Sequence, residues 1–508
     1  MVLDGAAVKK TDDIDDYLEQ QDGRINQPMD SFLCRHNSRQ KCSNCLPLDP
    51  YDEEYLKKKE IKHMSFHAHL RKLTDLHGKT TRTLQPLENI DLRVKLDCSD
   101  SHRPYPHGIC TKCRPPILTL NRQRFRHVDN ITIENEHIVN RFLDFWRGSS
   151  FQRVGYLIGR YEAFPDVPLG LKAVVAAIYE PPQTSTASGV AFDDDPNEEV
   201  VDELCRSLGM KRVGWIFTDL WSADSSKGTV HCTRHANSYL LSASECITAA
   251  HFQLKYKNYT KHSVEGYFGS KFVTVVASGD LSENINFSGY QVSNQCAAMA
   301  EADIVVPTDY MELAWAREKP LHEKHYVTDV QFTEKDEYGA EVRKDGRPLP
   351  VEYLLVDVPA GMPKDPSESF RVNRVGFPIE NRAAIGQIQS VTRVAEYLGN
   401  FSSNQFLDLA TNFHFLVYLL TNDLQKFTLE ELAPLFEAIT KQDRVAAVNW
   451  SESSETWKHF AALVATHVNF GGNSEQAENA ADTWACVHCT FENTEKRPEC
   501  AVCGLPQA

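Results

Sequence analysis

Cysteine pairs near the end of the chain have the spacing of zinc ligands. Two C-x2-C pairs are separated by ten residues, in the pattern Trp484-x-Cys486-x2-Cys489-x10-Cys500-x2-Cys503. Four thiolates at this separation can close a tetrahedron around Zn²⁺. So short a segment cannot bury a core of its own, and a structural zinc site can supply the folding free energy instead. The sequence therefore predicts a small terminal zinc finger.

Two further clusters lie in the first quarter of the chain. The first combines a C-x2-C pair with a nearby cysteine and histidine, a set that suits a Cys3His zinc site: Cys34, His36, Cys42 and Cys45. The second contains the pair Cys110-x2-Cys113, with Cys98 as the third thiolate. Spacing alone leaves His102 and His107 as rivals for its fourth position. Together with the terminal finger, these clusters predict three structural zinc sites.

Other histidines and cysteines lack matching partners. His63 and His67 are i,i+4 and His69 follows, but no carboxylate or thiolate stands at a matching spacing. We therefore expect solvent-facing histidines there rather than a metal site. Four cysteines without C-x2-C spacing predict small core or surface thiols, and no Cys-His-Asn nucleophile arrangement can be argued from them: Cys205, Cys232, Cys246 and Cys296.

Length, charge and hydropathy predict several globular domains. The chain has 508 residues, which at roughly 150 residues per domain gives about three or four domains. Its formal net charge of −16 disfavours a bulk nucleic-acid binder, which must neutralise phosphates. The longest apolar run, around residues 413–420, is interrupted by His414 and is too short to span a membrane. The first residues lack an apolar signal segment, so we expect a reducing compartment.

Changes in composition divide the chain into six segments with an overall α+β multidomain architecture. They are a flexible acidic N-terminal segment (1–30), a double zinc-finger region (31–126), an α/β domain (127–305), a mixed C-terminal domain with helices (306–470), a linker (471–483) and the terminal zinc finger (484–508).

Apolar periodicity predicts individual elements within these segments. In the α/β segment, helical spacing predicts a helix over about 138–146, and residues 181–199 are expected to be an exposed insertion. Thr428-x-x-Glu431 is a capping box that predicts the start of a C-terminal helix. Short β-branched runs bounded by glycine predict buried strands at 154–159, 174–179, 213–217 and 272–277.

The terminal finger resembles the Npl4-type (RanBP2-like) zinc-finger family. A tryptophan precedes its first cysteine pair, and Asn493 follows the second cysteine by four residues. This family contains ubiquitin binders and RNA binders. Thr490-Phe491 matches the Thr-Phe pair of the ubiquitin binders, and their third hydrophobic contact falls on Val502. The resemblance therefore implies ubiquitin binding through these residues rather than RNA binding.

Long segments of the chain closely resemble the nuclear protein localisation protein 4 family. The resemblance extends from about residue 30 to the C-terminus and includes the runs CRHNSRQKCSNCLPLDPYDEEYL, HRPYPHGICTKCRPPILTLNRQRFRHVDNI, GYLIGRYE and RPLPVEYLLVDV. It implies a ubiquitin-binding cofactor of the hexameric AAA+ ATPase valosin-containing protein, paired with the ubiquitin-fusion-degradation protein. It also implies that the second zinc site uses Cys98, His102, Cys110 and Cys113.

The central domain of that family has the MPN fold, which zinc-dependent deubiquitinases of the JAMM class also use. A JAMM site needs a general-base Glu, a His-x-His pair and an Asp in Ser-x-x-Asp. On this chain the base corresponds to Gln152, the histidine pair to Phe217 and Asp219, and the last ligand to Glu245 after Ser242. Phe cannot ligate zinc, and a Gln amide cannot take a proton. We expect an inactive MPN domain whose two carboxylates would hold a metal only weakly.

The resemblance also sets the expected function. Family members usually begin with a UBX-like domain that docks on the ATPase, whereas about 30 residues precede Cys34 here, so we expect a form without that domain. We expect a non-enzymatic adaptor that delivers polyubiquitylated substrates for proteasomal degradation, including endoplasmic-reticulum-associated degradation. Its expected location is the cytoplasm and nucleus, and peripherally the endoplasmic reticulum. The alternatives are a zinc-dependent JAMM-type deubiquitinase and an RNA-binding zinc-finger protein.

Overall fold

The computed structural model describes most of the chain, and its contacts divide it into two compact units. The first consists of residues 1–194 and 210–368, and the second of residues 195–209 and 369–508. The described residues are 11–29, 32, 34–36, 42, 45–77, 87–94, 110, 114–224, 227–323, 325–335, 338–371, 376–471, 484–485 and 492–493.

Helices and strands alternate along the described residues. The helices are α1 (Asp13–Gln20), α2 (Glu53–Lys58), α3 (Phe66–His77), α4 (Glu136–Ser149), α5 (Glu198–Ser207), α6 (Ala243–Lys255), α7 (Asn294–Glu301), α8 (Val391–Gly399), α9 (Phe406–Ala410), α10 (Phe413–Thr421), α11 (Leu429–Lys441), α12 (Arg444–Ser453) and α13 (Glu455–Gly471). The strands are β1 (Met64–Ser65), β2 (Leu118–Leu120), β3 (Phe125–Arg126), β4 (Asn130–Ile133), β5 (Val154–Phe164), β6 (Gly170–Tyr179), β7 (Gln183–Ser185), β8 (Val190–Phe192), β9 (Lys211–Asp219), β10 (Ser222–Asp224), β11 (Thr229–Val230), β12 (Val273–Gly279), β13 (Ile285–Val292), β14 (Val305–Pro307), β15 (Leu313–Ala316), β16 (Val330–Lys335), β17 (Glu341–Asp345), β18 (Leu349–Pro350), β19 (Leu355–Val358), β20 (Ala360–Gly361), β21 (Trp484–Ala485) and β22 (Glu492–Asn493).

A closed mixed β-sheet forms the centre of the first unit. Its eight strands are hydrogen-bonded in the order β19–β13–β12–β9–β5–β6–β4–β20. Pro359 alone separates β19 from β20 in the chain, yet β19 pairs with β13 and β20 pairs with β4. Residues 355–361 therefore join the two ends of the sheet, and the strands close around a buried core.

Apolar side chains from the strands and from α4 fill this core. The helix begins at Asn135, whose side chain accepts a hydrogen bond from the Ile138 N–H and satisfies one of the free amides at the helix end. Removing so much apolar surface from water is the main force that holds the sheet closed. The fully buried cluster includes Ile131, Val139, Phe142, Val175, Ile216, Val275 and Val358.

The predicted elements of the α/β segment are confirmed. The helix expected over 138–146 is α4, and the four expected strands are β5, β6, β9 and β12. The run expected to be an exposed insertion contains the antiparallel hairpin β7–β8, and the first turn of α5.

The N-terminal segment differs from the flexible lead-in that its acidic run predicted. Residues 13–20 form α1, and Leu18 is buried in the core cluster of the sheet. The Nζ atom of Lys271 contacts the carboxylates of Asp12 and Asp15, at 2.5 Å from Asp15. The acidic run is therefore a partner for a buried lysine, which composition alone does not reveal. Residues 1–10 lie outside the described residues.

The domain boundary predicted at 305/306 falls inside the first unit. The chain continues through β14 to β20 before it leaves that unit at residue 368. β19 pairs with β13, so a strand assigned by composition to the C-terminal domain belongs to the central sheet. Helix α5, in contrast, belongs to the second unit although the first unit surrounds it in the sequence.

Helices make up most of the described part of the second unit. The predicted capping box at the start of α11 is confirmed, because the Glu431 N–H donates to Thr428 Oγ1 and the Thr428 N–H donates to the Glu431 carboxylate. Among the described helices, none combines the length and apolar character needed to cross a membrane. The core of this unit combines aliphatic residues with buried aromatic ones, including Phe377, Tyr397, Phe415, Trp457 and Phe460.

Candidate functional site

The structure brings together the four residues of the first predicted zinc cluster. The Cys42 Sγ atom lies 3.7 Å from that of Cys34 and 3.9 Å from that of Cys45. The His36 Nε2 atom lies 3.3 Å from the Cys45 Sγ. All four ligand atoms are within 4.8 Å of one another. Zn–S bonds of about 2.3 Å in a tetrahedron place sulfurs about 3.8 Å apart, so the spacing fits one zinc ion.

The backbone around Cys42 and Cys45 explains why this spacing works. The N–H groups of Cys45 and Leu46 both donate to the Cys42 carbonyl, at 3.1 and 2.9 Å, and close a tight turn. The Cys42 N–H donates to the Cys45 Sγ at 3.3 Å, an outer-shell contact that favours a thiolate. Three sulfurs and one imidazole are a donor set that zinc prefers. When bound there, zinc would cross-link this segment as a structural site.

The other predicted zinc ligands lie mostly outside the described residues. In the second cluster, Cys110 is described and buried. For the terminal finger, the described residues form the antiparallel pair β21 and β22. The sites themselves stay predictions, because the following residues lie outside the described part of the chain: Cys98, His102, His107, Cys113, Cys486, Cys489, Thr490, Phe491, Cys500, Val502 and Cys503.

The histidines expected to face solvent are placed differently. His67 is buried, and its Nε2 atom lies 3.0 Å from Oδ1 of Asp15. His69 stacks on Phe125 with 4.1 Å between ring centroids, and burial lowers the pKa of His69 to about 4. His63 is half-buried, with Nδ1 3.0 Å from a backbone carbonyl. The expectation was wrong because this segment enters an apolar cluster of the first unit.

Gln152, which the sequence comparison with JAMM enzymes predicted to replace the general base, holds four backbone and side-chain groups together. Its Nε2 donates to the carbonyls of Leu220 and Ala187, at 2.9 and 3.0 Å. Its Oε1 accepts from Thr218 Oγ1 at 2.7 Å and from the Leu220 N–H at 3.2 Å. This amide is 3% exposed and all four of its hydrogen-bonding positions are filled. It is therefore a structural cross-link.

Phe217, predicted to replace the first histidine of a JAMM His-x-His pair, is a core residue of β9. Its ring stacks on Trp215 with centroids 4.9 Å apart, and 6% of the residue is exposed. An arene carries no lone pair that could ligate zinc. The Arg234 guanidinium lies 5.5 Å from the ring centroid, so the ring faces a cation that the protein itself supplies.

Arg234 lies between the two carboxylates of the degenerate site. Its Nε donates to Asp219 Oδ2 at 2.7 Å, and its two terminal nitrogens donate to the two Glu245 oxygens at 2.9 and 2.7 Å. The side chain is 6% exposed. Burial alone would lower the pKa of Arg234, but the Glu245 and Asp219 carboxylates outweigh it and hold that pKa above its usual value. The guanidinium therefore carries a fixed charge.

In this geometry the oxygens of Asp219 and Glu245 already have partners within the protein. The remaining Asp219 oxygen accepts from Trp221 Nε1 at 2.8 Å. Glu245 also forms a capping box with Ser242 at the start of α6. Both carboxylates are thus ion-paired with the same guanidinium and hydrogen-bonded by protein groups, and the Ser-x-x-Glu spacing has a structural role. We call Gln152, Phe217, Asp219, Glu245 and Arg234 the degenerate cleft.

Sequence reasoning missed Arg234. It follows Asp219 by 15 residues and precedes Glu245 by 11, a separation that belongs to no motif or element period. Its position depends on the loop between β11 and α6, where its guanidinium also donates to the Leu240 carbonyl at 2.9 Å. A search for a basic residue between the two acidic positions would have found it as one candidate among several.

Comparisons with known proteins cover nearly the whole chain. A family model described as the NPL4 family matches residues 153–465. A second NPL4-family model matches residues 9–150, and its description ascribes zinc binding to that region. The chain belongs to the NPL4 family. A relative from Caenorhabditis elegans, nuclear protein localization protein 4 homolog 1, is 54% identical over 533 aligned positions, which cover 100% of both chains.

More distant members of the NPL4 family match across most of the same length. The human nuclear protein localization protein 4 homolog is 44% identical, with 99% of this chain and 83% of the relative covered. The Saccharomyces cerevisiae protein is 38% identical, with 89% and 79% covered. Within this NPL4-family chain, the zinc-ascribed region contains the Cys34–Cys45 cluster, and the larger family region contains the degenerate cleft except for Gln152.

Proposed function

We propose that this NPL4-family protein is a non-enzymatic ubiquitin-binding adaptor. It would pair with the ubiquitin-fusion-degradation protein and deliver polyubiquitylated substrates to the hexameric AAA+ ATPase valosin-containing protein. The observation that carries the non-enzymatic part is the Arg234 guanidinium between Asp219 and Glu245. A cation fixed at hydrogen-bonding distance from both carboxylates leaves no pair of free acidic ligands for zinc.

The ubiquitin contact is proposed for the terminal finger. Thr490, Phe491 and Val502 are its hydrophobic contact residues by resemblance to the ubiquitin-binding fingers. A patch this small should bind one ubiquitin weakly and gain strength on chains, because linked sites raise the effective concentration. The net charge of −16 also favours a protein partner over nucleic acid.

The proposed location follows from the proposed partners. The relatives carry the words nuclear protein localization in their names. We propose a pool in the nucleus and cytoplasm, with recruitment to the endoplasmic reticulum through the ATPase complex. This recruitment would serve the extraction of ubiquitylated clients for proteasomal degradation.

A co-purification experiment tests the adaptor proposal. The full chain is co-expressed with its heterodimer partner and offered the ATPase hexamer and polyubiquitin, with Thr490→Ala/Phe491→Ala as the test variant and Thr494→Ala as the control. We expect the double variant to lose polyubiquitin while keeping the ATPase, and the control to keep both. Failure of the unsubstituted complex to retain the ATPase or polyubiquitin would contradict the proposal.

The deubiquitinase alternative has its own test. We expect no cleavage of polyubiquitin by the purified chain, with or without added zinc, because Gln152 and Phe217 supply neither a base nor a ligand. The variant Arg234→Met removes the internal cation and should also remain inactive. Zinc-dependent cleavage that a chelator abolishes would establish that the chain is a deubiquitinase and would refute the proposal that it is non-enzymatic.

A further inference from the structure

The first unit contains a half-enclosed cavity that shares no lining residue with the degenerate cleft. Its volume is about 330 Å³. One wall is formed by residues of the extended segment 88–93, and the end of α6 and α7 contribute further lining. This volume lies at the lower end of the range for sites that take a small ligand or one or two side chains.

Two contacts hold the extended wall in place. At one end, Asn89 Nδ2 donates to the Tyr267 carbonyl at 2.8 Å and to the Glu265 carboxylate at 3.2 Å. At the other end, the Arg93 guanidinium pairs with Glu301 on α7 at 3.2 Å. The cavity therefore lies between two fastened ends and is already formed in this structure.

The floor of the cavity is apolar and aromatic. The rings of Phe125 and Phe268 stack with centroids 6.0 Å apart, and the apolar lining also includes Ile90, Leu254, Ala297 and Ala298. Both phenylalanines are 9% exposed or less. An aromatic floor beneath an open mouth is the environment in which an inserted apolar side chain gains most from leaving water.

The charges around the mouth are unbalanced towards the negative. Its two arginines are ion-paired, Arg93 with Asp91 and Glu301, and Arg122 with Glu352. The Lys257 ammonium lies 3.9 Å from the centroid of the Tyr267 ring and keeps its charge, so the lining carries four carboxylates against three cations. Two carboxylates differ: Glu265 accepts hydrogen bonds from the neutral side chains of Ser263 and Asn89, and Glu88 is exposed with no ion pair among the described residues.

We propose that this cavity binds a short hydrophobic-basic segment of a partner protein. An aromatic or long aliphatic side chain would enter above Phe125 and Phe268, and an adjacent Lys or Arg would meet the carboxylates of Glu88 and Glu265. The apolar anchor supplies affinity, and the charge pair at the rim supplies specificity and association rate. This site would act independently of ubiquitin binding at the terminal finger.

The depth of the cavity is tested by filling it. The full chain is titrated with the capped dipeptide Ac-Phe-Arg-NH2, and binding is followed by saturation-transfer NMR. Ala297 lies on the cavity side of α7 and is half-buried, so Ala297→Phe should fill the space without opening the core. We expect binding weakened at least about tenfold. Ala461→Phe, on α13 in the other unit, is the matched control and should bind as the unsubstituted chain does.

The rim charge is tested separately, with a probe and a variant that reverse it. Ac-Phe-Glu-NH2 should bind at least about tenfold more weakly than Ac-Phe-Arg-NH2. Glu88→Lys should weaken the arginine probe, whereas Glu54→Lys on the exposed face of α2 should not. Because Glu88 is exposed, Glu88→Lys should leave the fold intact, and thermal unfolding of each variant checks this. Equal binding of both probes, or unchanged binding by Ala297→Phe, would overturn the proposal.

Discussion

Position 152 requires Gln rather than Glu because two backbone carbonyl oxygens there need a hydrogen-bond donor. The Gln152 amide donates to Leu220 and Ala187, which lie on different segments of the first unit. A carboxylate has the shape to fit there but has no hydrogen to donate, and it would place a charge beside two acceptors. The residue that a JAMM enzyme needs is therefore incompatible with the contacts that this chain has built.

We expect Gln152→Glu to destabilise the first unit by about 1–3 kcal/mol, because two buried carbonyls lose their donor. Urea unfolding followed by circular dichroism measures the change. Gln21→Glu, at an exposed position beyond α1, is the control and should have little effect. Equal stability of Gln152→Glu and the unsubstituted chain at neutral pH would show that the Gln152 hydrogen bonds do not contribute to the stability of the first unit.

At the scale of elements, two glycines illustrate opposite constraints. Gly159 lies at a register irregularity between β5 and β6, and a Cβ there would stand 1.8 Å from the Val174 carbonyl oxygen. Gly148 lies in α4, where a Cβ would meet nothing within 4 Å. The first position requires glycine because a neighbouring backbone approaches, while the second only lowers helix propensity.

These two positions give a matched pair of substitutions with opposite expected signs. Gly159→Ala should destabilise the first unit by roughly 1–3 kcal/mol, because strands β5 and β6 of the central sheet must shift to admit the methyl group. Gly148→Ala should stabilise it by up to about 1 kcal/mol, since alanine is the better helix former. Both are measured by chemical denaturation of the full chain. If Gly159→Ala left the free energy of unfolding unchanged, β5 and β6 would have to separate at this point with little loss of stability.

The attachment of α1 is also a property of an element, and it is electrostatic. Burial alone would raise the pKa of Asp15, but the His67 hydrogen bond and Lys271 outweigh it and lower that pKa. For Glu19 the His262 hydrogen bond is the largest cause; partial burial opposes it, Lys261 adds to it, and the pKa falls to about 2 from 4.5. A lowered folded-state pKa contributes stability above the unfolded value and loses it as pH falls.

We therefore expect α1 to detach progressively as pH falls from 4.5 towards 2. Hydrogen-exchange protection factors of the α1 amides, measured from pH 5 to pH 2.5, report this directly. Glu19→Gln should flatten part of the pH dependence, and Asp12 and Asp15, whose pKa values are also lowered by Lys271, should account for the remainder. Glu54→Gln on α2 is the control and should leave the profile of α1 unchanged. A profile for Glu19→Gln identical to that of the unsubstituted chain would contradict the assignment.

At the scale of the whole molecule, two kinds of interaction stabilise different parts of the chain: hydrophobic burial and metal ligation. The central sheet closes through residues 355–361 and buries an apolar core. The segment from Cys34 to Cys45 has its four potential ligands around one point instead. Hydrophobic burial holds the sheet, whereas metal bonds would hold the cluster, so the two should respond differently to a chelator.

Removing zinc should unfold the Cys34–Cys45 segment and leave the sheet intact. We expect a chelator to abolish hydrogen-exchange protection near Cys42 while β5, β9 and β12 stay protected. Metal analysis should give three zinc ions per chain, and Cys42→Ser should lower that number by about one. Cys232→Ser, outside any cluster, should keep all three. Loss of protection throughout the sheet on chelation would show that the two parts fold together.

Local patterns in the sequence determined much of this protein. The Cys-x2-Cys spacing, the Thr428–Glu431 capping box and the periodicity of α4 each depend on residues a few positions apart. Steric and hydrogen-bonding rules act at that range whatever the rest of the chain does. The strands and the grouping of the first zinc cluster were therefore predictable.

Only the tertiary structure decided what fills the degenerate cleft, how the sheet closes and where α1 lies. Arg234 contacts Asp219 and Glu245 from a loop. Strand β19 pairs with β13 although β14 to β18 lie between them in the chain. Asp15 contacts Lys271, which is 256 residues away in the sequence. Each of these contacts joins groups whose separation along the chain carries no periodic signal. Charge and composition predicted a flexible acidic segment, but its helix and its contact with the buried Lys271 are set by long-range packing.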